Sequence, residues 1–174
     1  MKLSDGTIRA LLDKSELAIE PYPLDRAFQP CSVDLRLSRS FYVPFSAMHK
    51  PADHRDIGWL NTSDYVLQPG RFVLGATQEH VRLDRGYVGQ VYGKSTLARL
   101  GLQVECAGLV DPGFEGTLTL ELVNLSPGPI PLTAGMPICQ ITFERLDWPA
   151  TRPYGHPELN SHYQGQVKAT PAAQ

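Results

Sequence analysis

The sequence predicts a mostly-β chain of short strands with a peripheral helix near its N-terminus. Three observations lead there. Fifteen Gly and fifteen Pro among 174 residues imply frequent turns. Several runs alternate apolar and polar residues with the period of two that a half-buried strand requires. Two stretches only, near residue 8 and near residue 97, carry helical spacing.

The elements follow in order. Ser4 or Asp5 can cap a first helix whose Ile8, Leu11 and Leu12 share a face, and Pro21 lies beyond its end. "CSVDLRLSRSFYV" alternates Val33, Leu35 and Leu37 against Asp34, Arg36 and Ser38, which reads as a strand. Residues 44–64 are polar, contain His49, His54 and Trp59, and read as a long loop. "YVLQPGRFVLGAT" is strand, Pro69-Gly70 turn, strand, and "HVRLDRGYVGQVYG" repeats the rhythm. "STLARLGL" is a short helix over 95–100, with Leu97 and Leu100 on one face and Gly101 as its stop. Strands return at 102–106, 117–124 and 137–146, and "SPGPIPLTAG" reads as a turn segment. From Trp148 to Gln174 apolar periodicity fades, so this tail is expected to be ordered only by what it covers.

Bulk properties narrow the function classes. Hydrophobic residues make up 42% and charged residues 20%, as in a soluble globular chain, and 174 residues suit one domain. A net charge of −2 supplies no basic field for nucleic acid. No apolar run reaches the length of a membrane span, and "MKLSDGTIRALLDK" lacks the apolar core of a signal peptide. Cys31, Cys106 and Cys139 are odd in number and widely spaced, which fits a reducing cytoplasm rather than a disulfide framework.

"VDPGFEGTLTLELVN" (110–124) is the most informative stretch. After the "DPGFEG" turn, alternation puts Leu118, Leu120 and Leu122 on one face and Thr117, Thr119, Glu121 and Val123 on the other. Either that second face is simply wet, or it lines a site in which Glu121 is a base. The turn is a plain connection or places Asp111 at a site edge. "GKST" (93–96) is no P-loop, because the required glycine five residues earlier is Val88. Lys94, Ser95, Thr96 and Arg99 still crowd one turn and can face an anion; the alternative is an ordinary capped helix with solvated charges. His156-Pro157-Glu158 supplies the H-x-E of a zinc deaminase, but the later P-C-x-x-C is missing, and no serine-hydrolase elbow occurs.

"QPCSVDLRL", "GKSTLARLGL", "AGLVDPGFEGTLTLELVN", "GMPICQITF" and "HYQGQ", in this order, resemble the dCTP deaminase branch of the dUTPase-like superfamily over roughly residues 1–166. The resemblance implies a dUTPase-like distorted β-barrel or jelly roll, a homotrimer with sites between subunits, and residues 148–174 closing over bound nucleotide. It implies zinc-independent deamination of dCTP to dUTP and ammonia, in supply of dUMP and dTTP. The alternatives are onward cleavage to dUMP and diphosphate, dUTP hydrolysis alone, or a nucleotide-binding regulator without turnover. It assigns catalysis to Glu121, Ser95 and Arg99. It assigns substrate contacts to Lys94, Ser95, Thr96, Arg99, Asp111, Thr119, Leu120, Glu121, Gln140, Tyr154, His162 and Gln166. Asp111 would hold the 3′-hydroxyl, and Thr119, Leu120 and Glu121 would read the base. Mg²⁺ would arrive on the triphosphate oxygens, with no protein metal site, and dUTP or dTTP would bind as product or feedback ligand. The chain departs from the family pattern in a 102–111 stretch one residue shorter, with Val104 and Cys106 where His and Thr are usual. His162 replaces a lysine, the tail lacks Ser-Arg, and Gly108 resembles the dUMP-forming members.

Overall fold

A computed structural model describes residues 1–44, 58–105 and 107–173. The helix α1 (Asp5–Asp13) is followed by β1 (Leu17–Glu20), a 3₁₀ turn (Asp25–Ala27), β2 (Phe28–Gln29), β3 (Ser32–Tyr42), β4 (Trp59–Asn61) and β5 (Asp64–Leu67). Then come β6 (Phe72–Leu83), β7 (Tyr87–Gly93), α2 (Ser95–Ala98), β8 (Leu102–Glu105), β9 (Leu109–Val110), β10 (Glu115–Asn124), β11 (Ile130–Thr133) and β12 (Pro137–Arg145).

Among the described residues ten strands join one mixed-length, curled sheet in the order β8-β10-β6-β3-β12-β7-β9. β1 pairs with β6, while β2 and β4 pair with β3; β5 and β11 make a separate pair. Its long strand β3 belongs to two halves of the structure. Val33–Arg36 pair with β12, and Phe41 and Tyr42 pair with β6 after a register shift. A strand that changes partner part-way turns the corner of a barrel or sandwich. Val33, Leu35, Leu37 and Phe41 fill the interior there with no exposed surface. Across the same corner Glu79 of β6, 2% exposed, accepts from the Arg36 main-chain N–H at 2.7 Å and from its Nε at 2.6 Å. That buried carboxylate has a full structural explanation.

Several expectations are realised for the expected physical reasons. Ser4 Oγ accepts from the Thr7 N–H at 3.4 Å, and Ile8, Leu11 and Leu12 are the buried face of α1. α2 is shorter than 95–100; a further turn, with Leu100 N–H on Leu97 O and Gly101 N–H on Ala98 O, carries the chain to Gly101. Other expectations are corrected. The supposed loop 44–64 contains β4 and the start of β5, and residues 45–57, with His49 and His54, lie outside the described residues, as does Cys106. "SPGPIPLTAG" contains β11, whose Ile130 and Leu132 are buried. Pro69-Gly70 does not close a hairpin: β5 pairs with β11 and β6 with β10.

β10 positions the site. Leu120 and Leu122 are fully buried, and burial of a leucine contributes about 1.5–3 kcal/mol. A slip of one residue would drive Glu121 into the core instead, so these leucines pin the register. Glu121 then stands opposite Leu74 of β6 and Glu105 of β8.

Candidate active site

The outer face of β10 forms one wall of a cavity of about 620 Å³. Asp111, Thr119, Leu120, Glu121, Tyr154 and Gln166 all border it, together with Ala107, Gly108 and the apolar side chains of Phe72, Leu109, Val110 and Leu118. Asp111 heads a tight turn in which Phe114 N–H donates to Asp111 O at 3.1 Å. Pro112 and Gly113 take the central positions, Gly113 with φ +87°, as a type II turn demands. A Cβ on Gly113 would lie 2.5 Å from Pro153 Cβ, so the turn also makes room for the returning tail.

That tail is held by hydrogen bonds along β10. Tyr154 N–H donates to Pro112 O at 2.7 Å, and its ring packs on Phe114 with centroids 5.7 Å apart. Tyr163 N–H donates to the Tyr154 hydroxyl at 3.1 Å. Gln164 Nε2 donates to Gly113 O at 2.9 Å, and Gly165 N–H to Glu115 O at 2.7 Å. Gln166 is bound three times to Thr117: its O accepts from the Thr117 N–H at 2.8 Å and from Thr117 Oγ1 at 3.3 Å, and its Nε2 donates to Thr117 O at 2.7 Å. Thr119 Oγ1 donates to Gln166 Oε1 at 3.3 Å and accepts from Thr170 N–H at 3.1 Å. Residues Thr170, Pro171 and Ala172 complete the cavity wall.

The remaining predicted residues lie elsewhere on the chain. Lys94 Nζ makes an ion pair with Asp34 Oδ2 at 2.5 Å, and the buried Asp34 Oδ1 has no hydrogen-bond partner among the described residues. Gln140, beside them, accepts from Ser32 Oγ at 2.9 Å and donates from Nε2 to Gly93 O at 3.4 Å. Ser95, Thr96 and Arg99 are exposed on α2 and at its C-cap. None of these borders the 620 Å³ cavity. His162 is exposed next to the tail, its Nε2 3.2 Å from Asn160 Nδ2.

The division has an electrostatic consequence. Among the described residues the cavity lining holds two carboxylates, Asp111 and Glu121, and no Lys or Arg. Alone it would repel a polyanion. Arg99, and Lys94 with its Asp34 partner, stand on a different surface of the same chain. No group of three His, Cys, Asp or Glu side chains comes together among the described residues as a metal cluster, and no helix among them is long and apolar enough to cross a membrane.

Sequence reasoning missed Tyr163, Thr170, Pro171 and Ala172 as wall residues. The tail docks through main-chain groups and short polar side chains, so it leaves no apolar period to read; of its described residues only Ala169 is fully buried.

Residues 2–146 match the family model described as dCTP deaminase-like. A protein of Methanobrevibacter smithii named "dCTP deaminase, dUMP-forming" is 39% identical over 178 residues, covering 95% of this chain and 91% of the relative. A "dCTP deaminase" of Natronomonas pharaonis is 43% identical over 179 residues, covering 96% of this chain and 91% of the relative. Among solved structures, 2′-deoxycytidine 5′-triphosphate deaminase from Agrobacterium tumefaciens superposes with a TM-score of 0.67 at 28% identity, over 83% of this chain. This chain spans about half (48%) of that one. A dUTPase from phage phi11 of S. aureus shares the fold with a TM-score of 0.55 at 15% identity, over 82% of this chain and 99% of its own.

Proposed function

The chain belongs to the dCTP deaminase-like family, and from that premise we propose that it hydrolyses the exocyclic amine of dCTP, releasing dUTP and ammonia on the route to dUMP and dTTP. The observation that carries this reading is Glu121. It is held by a pinned strand register on the wall of a nucleotide-sized cavity, ten residues along from Asp111.

The chemistry follows from a carboxylate beside a base. Glu121 takes a proton from water as the water oxygen bonds to cytosine C4 and passes it to N3. It then takes the proton of the new C4 hydroxyl and delivers it to the amine as the C4–N4 bond breaks, leaving the C4 carbonyl of uracil and free ammonia. Such positioned acid–base work is worth about 10²–10⁴ in rate. Ser95 and the main chain near Ala107 would steady the attacking oxygen. Asp111 would accept from the sugar 3′-hydroxyl. Leu120 faces the core, so its contact with the base would come from its main chain. Tyr154, Gln140 and Gln166 would add nucleotide contacts, and residues 148–174 would cover the bound substrate.

The acidic cavity supports a homotrimer. Lys94, Ser95, Thr96 and Arg99 of one protomer would enter the site of its neighbour, supplying the cations that the Asp111–Glu121 wall lacks. Arg99 brought near Glu121 in this way would also favour the ionised carboxylate. Mg²⁺ comes with the triphosphate as part of the substrate. His162 stands where a lysine is usual, and would meet phosphate through its ring nitrogens.

A second reading is supported by Gly108 on the cavity lining and by the dUMP-forming name of the Methanobrevibacter relative. In it Asp111 also activates a water against the triphosphate, and the products are dUMP and diphosphate. Product chromatography after incubation with dCTP and Mg²⁺ separates the two. Glu121→Gln should keep the fold and lower deamination about 10²–10⁴-fold; near-normal ammonia release from that variant rules the assignment out.

A further inference from the structure

Trp59 stands outside the cavity yet holds its last wall. Its indole Nε1 donates to Ala169 O at 2.8 Å. On the other side of the same residue, Ala169 N–H donates to Ser40 Oγ at 3.1 Å. The Ala169 side chain is fully buried against Leu74 and Ala76, with Tyr42 packed beside them. Lys168 Nζ lies 4.0 Å from the centre of the Trp59 ring, a cation–π contact, and the Trp59 ring meets Tyr42 edge-on at 5.1 Å. Residues 168 and 169 are therefore gripped at a main-chain N–H, a carbonyl, a methyl and an ammonium. The next three residues, Thr170, Pro171 and Ala172, border the cavity directly.

We propose that Trp59, with Ser40, is a latch that fixes Ala169 so that Thr170–Ala172 stand as a wall of the substrate cavity, which makes Trp59 a positioning residue for substrate retention. The inference rests on reading the cavity as the nucleotide site. Trp59 is 52% exposed, and β4 pairs with the edge of β3 rather than lying in the core. A large half-exposed indole whose donor is spent on the tail is better accounted for by holding that tail than by filling the interior. The tail follows Gln166 without a strand of its own; among the described residues its other ties near the cavity are the Thr170 N–H to Thr119 Oγ1 bond, the Ala169 methyl on Leu74 and Ala76, and an Ala173 N–H donated to the Tyr163 hydroxyl at 3.2 Å.

The test uses the full-length chain with Trp59→Phe and, separately, Ser40→Ala. The first keeps an aromatic ring beside Lys168 and removes the indole N–H along with part of the ring's contact area; the second removes the acceptor on the opposite side of Ala169 and leaves the Trp59 ring intact. Amide hydrogen exchange of peptides spanning 163–173 is measured without nucleotide, and steady-state kinetics with MgdCTP. Each variant should speed exchange of the tail about fivefold, the effect of one typical hydrogen bond. Each should raise KM by a similar factor with kcat within about twofold of the parent chain. Unchanged tail exchange in Trp59→Phe overturns the latch. Faster exchange with unchanged KM overturns the positioning role. A parent chain that turns over no dCTP defeats the functional reading instead, and the exchange arm then decides the latch by itself.

Discussion

Thr119→Val separates two roles for one hydroxyl. The family resemblance places Thr119 at the base, whereas in the structure its hydroxyl joins two points of the tail. Valine keeps the β-branched shape and strand preference and removes only the polar atom. Two hydrogen bonds disappear, one donated to Gln166 Oε1 at 3.3 Å and one accepted from Thr170 N–H at 3.1 Å. The longer bond is worth about 0.5 kcal/mol and the shorter about 1 kcal/mol net, so tail docking should weaken by roughly 1.5 kcal/mol, on the order of tenfold. The loss is local, because the tail carries little buried apolar surface. Exchange of peptides covering 163–173 should accelerate on the order of tenfold and KM should follow, while Tm shifts by less than about 2 °C. A kcat lowered a hundredfold or more, with tail exchange unchanged, would refute this reasoning and return Thr119 to the base.

Two further outcomes are expected. Gly113→Ala forces a side chain into φ +87° and against Pro153; the conformation alone costs about 1–2 kcal/mol, so Tm should fall by about 2–8 °C, and a melt equal to the parent's would contradict the turn as described. Burial, reinforced by the hydrogen bond it donates to Glu16 Oε2 at 2.8 Å, raises the Tyr87 pKa above its ordinary 10.0. The folded chain therefore holds this proton more tightly than the unfolded one, and its stabilisation is complete below pH 10.0 and is lost as pH climbs toward the raised value. Tyr87→Phe should cost about 1 kcal/mol at neutral pH and flatten the alkaline decline in urea-unfolding stability; an unchanged alkaline slope would assign that decline to other groups.

Much of this was legible in the sequence, for identifiable reasons. α1 announced itself because Ser4 and the triad Ile8, Leu11 and Leu12 agree on one helix. β3 and β10 did so because long strands with one buried face keep a strict period of two. β9 and β11 were missed because two to four residues hold too few alternations to count, and β11 is further disguised by the prolines around it. Asp111 and Glu121 could be read as a pair because one turn and one strand fix both. The separation of Lys94, Ser95 and Arg99 from them could not, since it depends on which strand lies beside which. Trp59 was visible only as an aromatic in a polar stretch; its partner is 110 residues away, and no local pattern points there.

The parting of acidic cavity and basic turn on one chain has a genetic meaning. In the proposed trimer each working centre draws its carboxylates from one polypeptide and its cations from the next, so two different inactive alleles can repair one another. Glu121→Gln subunits mixed with Arg99→Ala subunits would regenerate intact centres at about one in four, the fraction expected from random assembly around a three-fold ring. In that proposed assembly a defective subunit would also impair a healthy neighbour, because it would withhold half of a centre that is not its own.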